Sequence, residues 1–219
     1  MSAPLLPVFV KLEGRPCLVV GAGAVGLQKV NSLLECGANV TVVAPDARGE
    51  IRDLVEQGKI AWRRRRYVAQ DISGQQLVIA ATNDPTVNHA IHGDAVNAGV
   101  LANAVDDPPF CDFYFGSVVR RGPLQIGIST AGESPALAQR LRQQLEALLD
   151  RTTGPWLERL GALRREVLTV HPAGEERNSL LRKLASRDVC DSPQCPSRAM
   201  ALGTPHQERG SDRGSWWLT

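Results

Sequence analysis

The chain has 219 residues, 43% hydrophobic and 22% charged, with a formal net charge of +2. That length holds one ordinary domain with a smaller one attached, and the balance is that of a folded globular chain, not a disordered one. The small charge gives no argument for nucleic acid as a partner. The longest apolar stretches, such as Cys17 to Val20 and Leu77 to Ala81, fall far below the roughly 20 residues a membrane helix needs. No signal peptide is visible ahead of Lys11 and Glu13, so no membrane partner and a cytoplasmic location are expected. There are five cysteines, and Cys17, Cys36 and Cys111 sit in apolar contexts that suit reduced thiols better than a disulfide framework.

Taken in chain order, Arg15 to Val20 reads as a buried strand running into Gly21-Ala22-Gly23-Ala24-Val25-Gly26, after which Leu27 to Cys36 has a helical pattern closed by Gly37. Asn39 to Ala44 is a second strand ended by Pro45 and Asp46. Arg48 to Gln57 is a helix stopped by Gly58, and Lys59 to Trp62 is a short strand. Leu77 to Ala81 is another buried strand, Pro85 to Ala98 a helix ended by Gly99, and Val100 to Val105 the next strand. Repeated strand-helix-strand order with nearly continuous apolar strands predicts a parallel sheet covered on both faces, an α/β fold.

After Asp107-Pro108-Pro109 the pattern changes. Phe113 to Val119 and Leu124 to Ile128 alternate like antiparallel strands joined by Arg120-Arg121-Gly122-Pro123, and Ser134-Pro135 opens a helix over Ala136 to Leu149. Pro155 to Val170 and Glu175 to Ala185 read as further helices, and the polar stretch from Ser186 onward reads as a disordered tail. The expected organisation is a sheet domain over 1–112, a hairpin and helix over 113–150, a small helical domain over 151–185 and the tail over 186–219.

The Gly21-x-Gly23-x-x-Gly26 spacing carries a mechanical meaning. Gly21 permits the tight turn, Gly23 lets a pyrophosphate approach the backbone, and Gly26 allows the helix to pack closely on the sheet. The amides from Gly23 through Ala24, Val25 and Gly26, at the positive end of the helix, bind the anion without a basic side chain. The motif follows a strand, opens a helix, and is followed by a second strand ending at Pro45 and Asp46, where a ribose-binding acid belongs. This context predicts a Rossmann-type site for a dinucleotide. Asp46 favours NAD, while nearby Arg48 leaves NADP open. Thr82 and Asn83, after a later strand, lie at the carboxyl edge where such sheets bind ligands, and also suit capping ahead of Pro85. The run Arg63-Arg64-Arg65-Arg66 is either a solvated strand end or a positive field for an anionic ligand.

From Leu6-Pro7-Val8-Phe9 through Leu18 to Gly23, Ala80-Ala81-Thr82-Asn83-Asp84, Asn103-Ala104-Val105-Asp106 and Ile128 to Ala138, the chain resembles the precorrin-2 dehydrogenase and sirohydrochlorin ferrochelatase family, including the N-terminal module of siroheme synthase. The resemblance covers roughly residues 5 to 170, and the segment Ile128 to Ala138, together with Asn103-x-Val105-Asp106, is far more specific than the glycine spacing. It implies an NAD-binding Rossmann domain, a dimerisation hairpin and helix, and a small helical domain. It implies oxidation of precorrin-2 to sirohydrochlorin with NAD, in a homodimer.

On that resemblance Asp106 is the catalytic acid-base residue, and Asn103 and Ser129 lie near the tetrapyrrole; Ser134 is better explained as a helix cap. By the residues alone, Asp106 and Asp107 equally suit a turn before Pro108. Arg120 and Arg121 are candidates for the substrate's carboxylates. Two other functions stay open. One is a bifunctional enzyme that also inserts ferrous or cobalt ion, with Asp106 helping to remove pyrrole protons. The other is a regulatory module that senses NAD(H) without catalysis. No protein-held metal is expected: His171 suits a solvated loop, and Cys190 and Cys195, with His206, do not complete a zinc spacing.

Overall fold

The computed structural model describes residues 4–149 and 151–185. The expectations about the tail, Cys190, Cys195 and His206 fall outside them. The chain forms two compact units that divide between Phe115 and Gly116.

In the first unit, β1 (Pro16–Val20), β2 (Asn39–Val43), β3 (Ile60–Arg63), β4 (Leu77–Ala80) and β5 (Leu101–Ala104) make one sheet in the order β3-β2-β1-β4-β5. Every neighbouring pair is parallel. Side chains alternate across a strand, so each buried strand must supply two cores. Cys17, Val19, Val42 and Ile79 pack with Val30 and Leu33 of α1 (Ala24–Glu35) and Ile51 of α2 (Gly49–Glu56). Leu18, Val20, Val78 and Ala102 pack with Ile91 and Ala95 of α3 (Pro85–Ala98). Burying each of the larger aliphatic side chains contributes about 1.5–3 kcal/mol. The strand order reverses between β1 and β4, and the crevice outside their carboxyl ends is where an open sheet of this type takes a ligand.

The helix ends follow from local chemistry. Gly37, Gly58 and Gly99 adopt left-handed φ of +72°, +68° and +66° just beyond α1, α2 and α3. Asp84, not Thr82 or Asn83, caps α3: its Oδ1 accepts the amides of Thr86 (2.9 Å) and Val87 (3.4 Å).

The second unit holds a hairpin of β6 (Ser117–Arg121) and β7 (Leu124–Ile128), then α4 (Pro135–Leu148), α5 (Thr153–Val170) and α6 (Glu175–Ala185). Ser134 caps α4, its Oγ accepting the Leu137 amide at 3.2 Å. The first hairpin strand starts at Ser117 and not at Phe113, as alternation alone suggested. The cause is a tether: the Asn103 side-chain amide donates to the Phe113 carbonyl (2.8 Å), and Phe113 packs on the sheet core. No helix among the described residues is long and apolar enough to cross a membrane.

The arginine run after β3 has a structural use. Asp71, 1% exposed, receives Arg63 Nη1 at 2.5 Å and both Nη atoms of Arg65 at 2.6 and 2.7 Å. The Val68 amide adds a fourth donor at 3.1 Å. These contacts, led by the Arg65 hydrogen bonds, hold the Asp71 carboxyl down at about 2. Because the folded-state value lies below that of the unfolded chain, the cluster stabilises the fold above about pH 4 and loses this contribution as the pH falls toward 2. Both arginines are about half exposed and rehydrate readily, so Asp71→Ala should cost about 3 kcal/mol, the low end for breaking a buried pair. Urea unfolding at pH 7 and pH 2.5 checks this: the difference between wild type and variant should shrink at the lower pH.

Candidate active site

The turn from β1 into α1 is set by glycine at two close approaches. Gly21 has φ +105°, and a Cβ there would stand 2.3 Å from the Ala81 carbonyl oxygen. A Cβ on Gly26 would stand 2.2 Å from the Gly21 carbonyl oxygen. Gly23 differs: nothing in the protein lies within 4 Å of where its Cβ would be. The space over Gly23 is therefore open for a ligand to approach the backbone. Gly23 is also the N-cap of α1 and offers no side-chain cap, so the first-turn amides at Ala24, Val25 and Gly26 face outward as anion donors. This cradle fits a dinucleotide pyrophosphate, which Gly21 to Gly26 would hold.

At the end of β2, Pro45 and Asp46 are exposed. Asp46 Oδ1 accepts the Ala47 amide (2.9 Å) and Arg52 Nη2 (2.7 Å), and these bonds hold its carboxyl below the usual range. Arg48 pairs with Glu50 at 2.9 Å, so its charge already has a partner. At the end of β4, Thr82 donates through Oγ1 to Asn88 Oδ1 (2.7 Å), and the Asn88 side-chain amide returns to the Thr82 carbonyl (3.2 Å), fixing the loop that Asn83 continues into solvent.

Asp106 follows β5 at the same carboxyl edge, exposed and in the left-handed region at φ +60°. Among non-glycine residues, aspartate is one of the few that enter this region readily. The backbone on either side is fixed. The Val105 amide donates to Ala80 (2.9 Å) and the Asp107 amide to Ala104 (3.2 Å). His89 Nε2 meets Asp107 Oδ2 at 2.6 Å while its ring stacks on Phe110 at 3.7 Å. Asp112 Oδ2 accepts the Ala102 amide at 2.8 Å.

Asn103, expected beside the substrate, is buried, and its amide is engaged by Phe113 O and by Cys111 Sγ at 3.2 Å. Its visible work is to hold the 111–113 segment against β5. The Cys111 thiol donates to Ala104 O at 3.0 Å and is pushed up by burial, so it is a structural link.

Sequence reasoning passed over Lys29, His89 and Phe115. Lys29, half-buried on α1, places Nζ 3.9 Å from the Phe115 ring centroid. Burial lowers its pKa, and the nearby Asp106 charge opposes that shift. The one available signal for His89 was its spacing from His92, one helical turn apart on α3.

Arg120, Arg121 and Ser129 belong to the second unit. Arg121 is committed to the end of α4: Nε donates to Leu149 O (2.8 Å) and Nη2 to Glu146 O (2.9 Å). Ser129 Oγ accepts the Ala131 amide at 3.1 Å, at the start of a loop in which Ala131 and Gly132 are left-handed at +51° and +87°. Among the described residues no group of three or more His, Cys, Asp or Glu is placed to hold a metal ion.

A family described as putative NAD(P)-binding matches residues 8–117, and one described as sirohaem biosynthesis protein, central, matches residues 121–148. Siroheme synthase 1 of Serratia proteamaculans is 40% identical over 173 residues, 78% of this chain and 36% of the relative. Siroheme synthase 1 of Yersinia enterocolitica is 44% identical over 149 residues, 68% of this chain and 32% of the relative. The chain thus spans about a third of the length of these relatives. The solved structure of SirC, a precorrin-2 dehydrogenase, superposes with a TM-score of 0.72 at 25% identity, covering 90% of this chain and 92% of that one. With its Rossmann sheet, its open glycine turn and these matches on both units, the chain belongs to the siroheme synthase and precorrin-2 dehydrogenase family.

Proposed function

We propose that this protein oxidises precorrin-2 to sirohydrochlorin with NAD. The observation that carries the reading is the shared carboxyl edge of one sheet: the open glycine turn after β1 and the fixed, exposed Asp106 carboxylate after β5. NAD, when bound, supplies the hydride acceptor. The chain's own part is to hold the pyrophosphate on the amides of Gly23 to Gly26, to orient the ribose near Asp46, and to take the substrate's proton on Asp106. Asn103 acts at one remove, by keeping Cys111 and Phe113 in place beside that edge. Ser129 and Arg120 are assigned to the substrate's polar fringe, and Arg121 to shaping the hairpin that carries Arg120. A homodimer accords with the apolar side chains that α4 leaves exposed, Leu137, Leu141 and Leu148.

The test is anaerobic incubation of the purified protein with enzymatically generated precorrin-2 and NAD, following sirohydrochlorin and NADH absorbance. Asp106→Asn keeps a side chain tolerated at left-handed φ, so it should fold normally and lower kcat about a hundredfold or more. Dinucleotide binding without oxidation by either NAD or NADP would sink the proposal in favour of a sensor. Ferrous or cobalt ion added to the sirohydrochlorin formed tests metal insertion as a second activity of the same edge.

The two kinds of glycine separate fold from binding. Gly26→Ala should destabilise by about 3 kcal/mol, since backbone stands where the methyl would go. Gly23→Ala should melt like wild type yet weaken NAD about tenfold or more, through lost amide contacts to the anion. Thermal unfolding and NAD titration of both variants check the contrast.

A further inference from the structure

Lys29 is an expense the fold does not explain. The residue is half-buried, and among the described residues no carboxylate lies within ion-pair distance of its ammonium. Withdrawing a cation from water without a counter-ion is unfavourable. A solvated lysine would avoid this by swinging outward, yet this one rests on the face of Phe115. Phe115 is itself set edge-on to Phe113, centroids 5.6 Å apart, and Phe113 is tethered through Asn103 to β5. The cation is therefore held at a defined place by an aromatic pair fixed to β5, the strand that Asp106 follows.

We propose that Lys29 is a carboxylate-binding residue of the substrate site, pairing with an acidic side chain on the rim of a flat macrocycle. This rests on the oxidation of precorrin-2 proposed above. Three features favour a substrate carboxylate over the dinucleotide's phosphates. The first-turn amides of α1 already suit the pyrophosphate, without a basic side chain. Asp106, the proposed base, is the largest charge acting on Lys29, which ties the ammonium to the edge that holds the proposed chemistry. The Phe115 ring, backed by Phe113, also covers one side of the ammonium with apolar surface, where a pair with carboxylate is stronger than in open water.

Sirohydrochlorin binding, followed by fluorescence quenching, tests this with wild type, Lys29→Met and Lys29→Arg, with NAD affinity measured alongside. Lys29→Met keeps the apolar stem; it should weaken sirohydrochlorin about tenfold, leave NAD affinity unchanged and flatten the salt dependence of tetrapyrrole binding. Lys29→Arg should recover most of the loss. Should Lys29→Met fail to fold, wild type reductively methylated with 13C gives the answer: its Lys29 resonance must shift when sirohydrochlorin saturates the protein. Unchanged tetrapyrrole affinity in Lys29→Met, an unmoved Lys29 resonance, or a loss confined to NAD would overturn the assignment while leaving the dehydrogenase reading intact. Wild type that binds no tetrapyrrole would remove both.

Discussion

Everything at the candidate site depends on how closely β1, α1 and β4 approach one another. The Gly21 carbonyl oxygen lies where a Cβ on residue 26 would be, and the Ala81 carbonyl oxygen where one on residue 21 would be. These two approaches draw the start of α1 down onto the reversal point of the strand order, so the helix's unpaired amides open onto the crevice. Gly23 lies between the two crowded positions yet faces open space. Crowding on the protein side and room on the ligand side come from the same turn.

The opposite wall is built differently. After β5 the chain cannot rely on a helix N-terminus, and the 106–113 segment is fixed by side chains from several directions. His89 engages Asp107, Asp112 takes the Ala102 amide, and Asn103 reaches Phe113. Asp106, at the head of this segment, is left exposed in a left-handed conformation that its neighbours impose. An exposed carboxylate on a fixed backbone is within reach of a ligand at this edge, as the proton-accepting role proposed above requires.

The parts legible in the sequence were those governed by neighbours in the chain. The glycine spacing, the helix stops at Gly37, Gly58 and Gly99, and the Ser134 cap each depend on a few consecutive residues, and the structure has them. Where partners lie far apart the sequence was mute or misleading. Alternation from Phe113 to Val119 reads as strand, but its first residues are bound to Asn103, a contact no local pattern encodes. Asn103, placed near the tetrapyrrole by resemblance, also has partners that no local pattern shows, because Cys111 and Phe113 fold back upon it.

The cations make the same point more sharply. The run from Arg63 to Arg66 reads in sequence as a solvated strand end or a field for an anionic ligand, yet Arg63 and Arg65 converge on Asp71, one buried carboxylate. Arg48 and Arg52 face Glu50 and Asp46, and Arg121 faces carbonyls at the end of α4. Charge density along the chain therefore says little about where an anion binds. What matters is whether a cation has an acceptor within its own unit and how far it has been withdrawn from water. By that criterion a single lysine in α1 outweighs a run of four arginines, because its position over Phe115 is defined while among the described residues no carboxylate pairs with it and Asp106 acts on it only through its field. On the proposed reading, a site that takes both an acidic macrocycle and a phosphate-bearing cofactor gains from this separation: backbone amides would take one anion and a fixed ammonium the other, so neither would compete for the other's place.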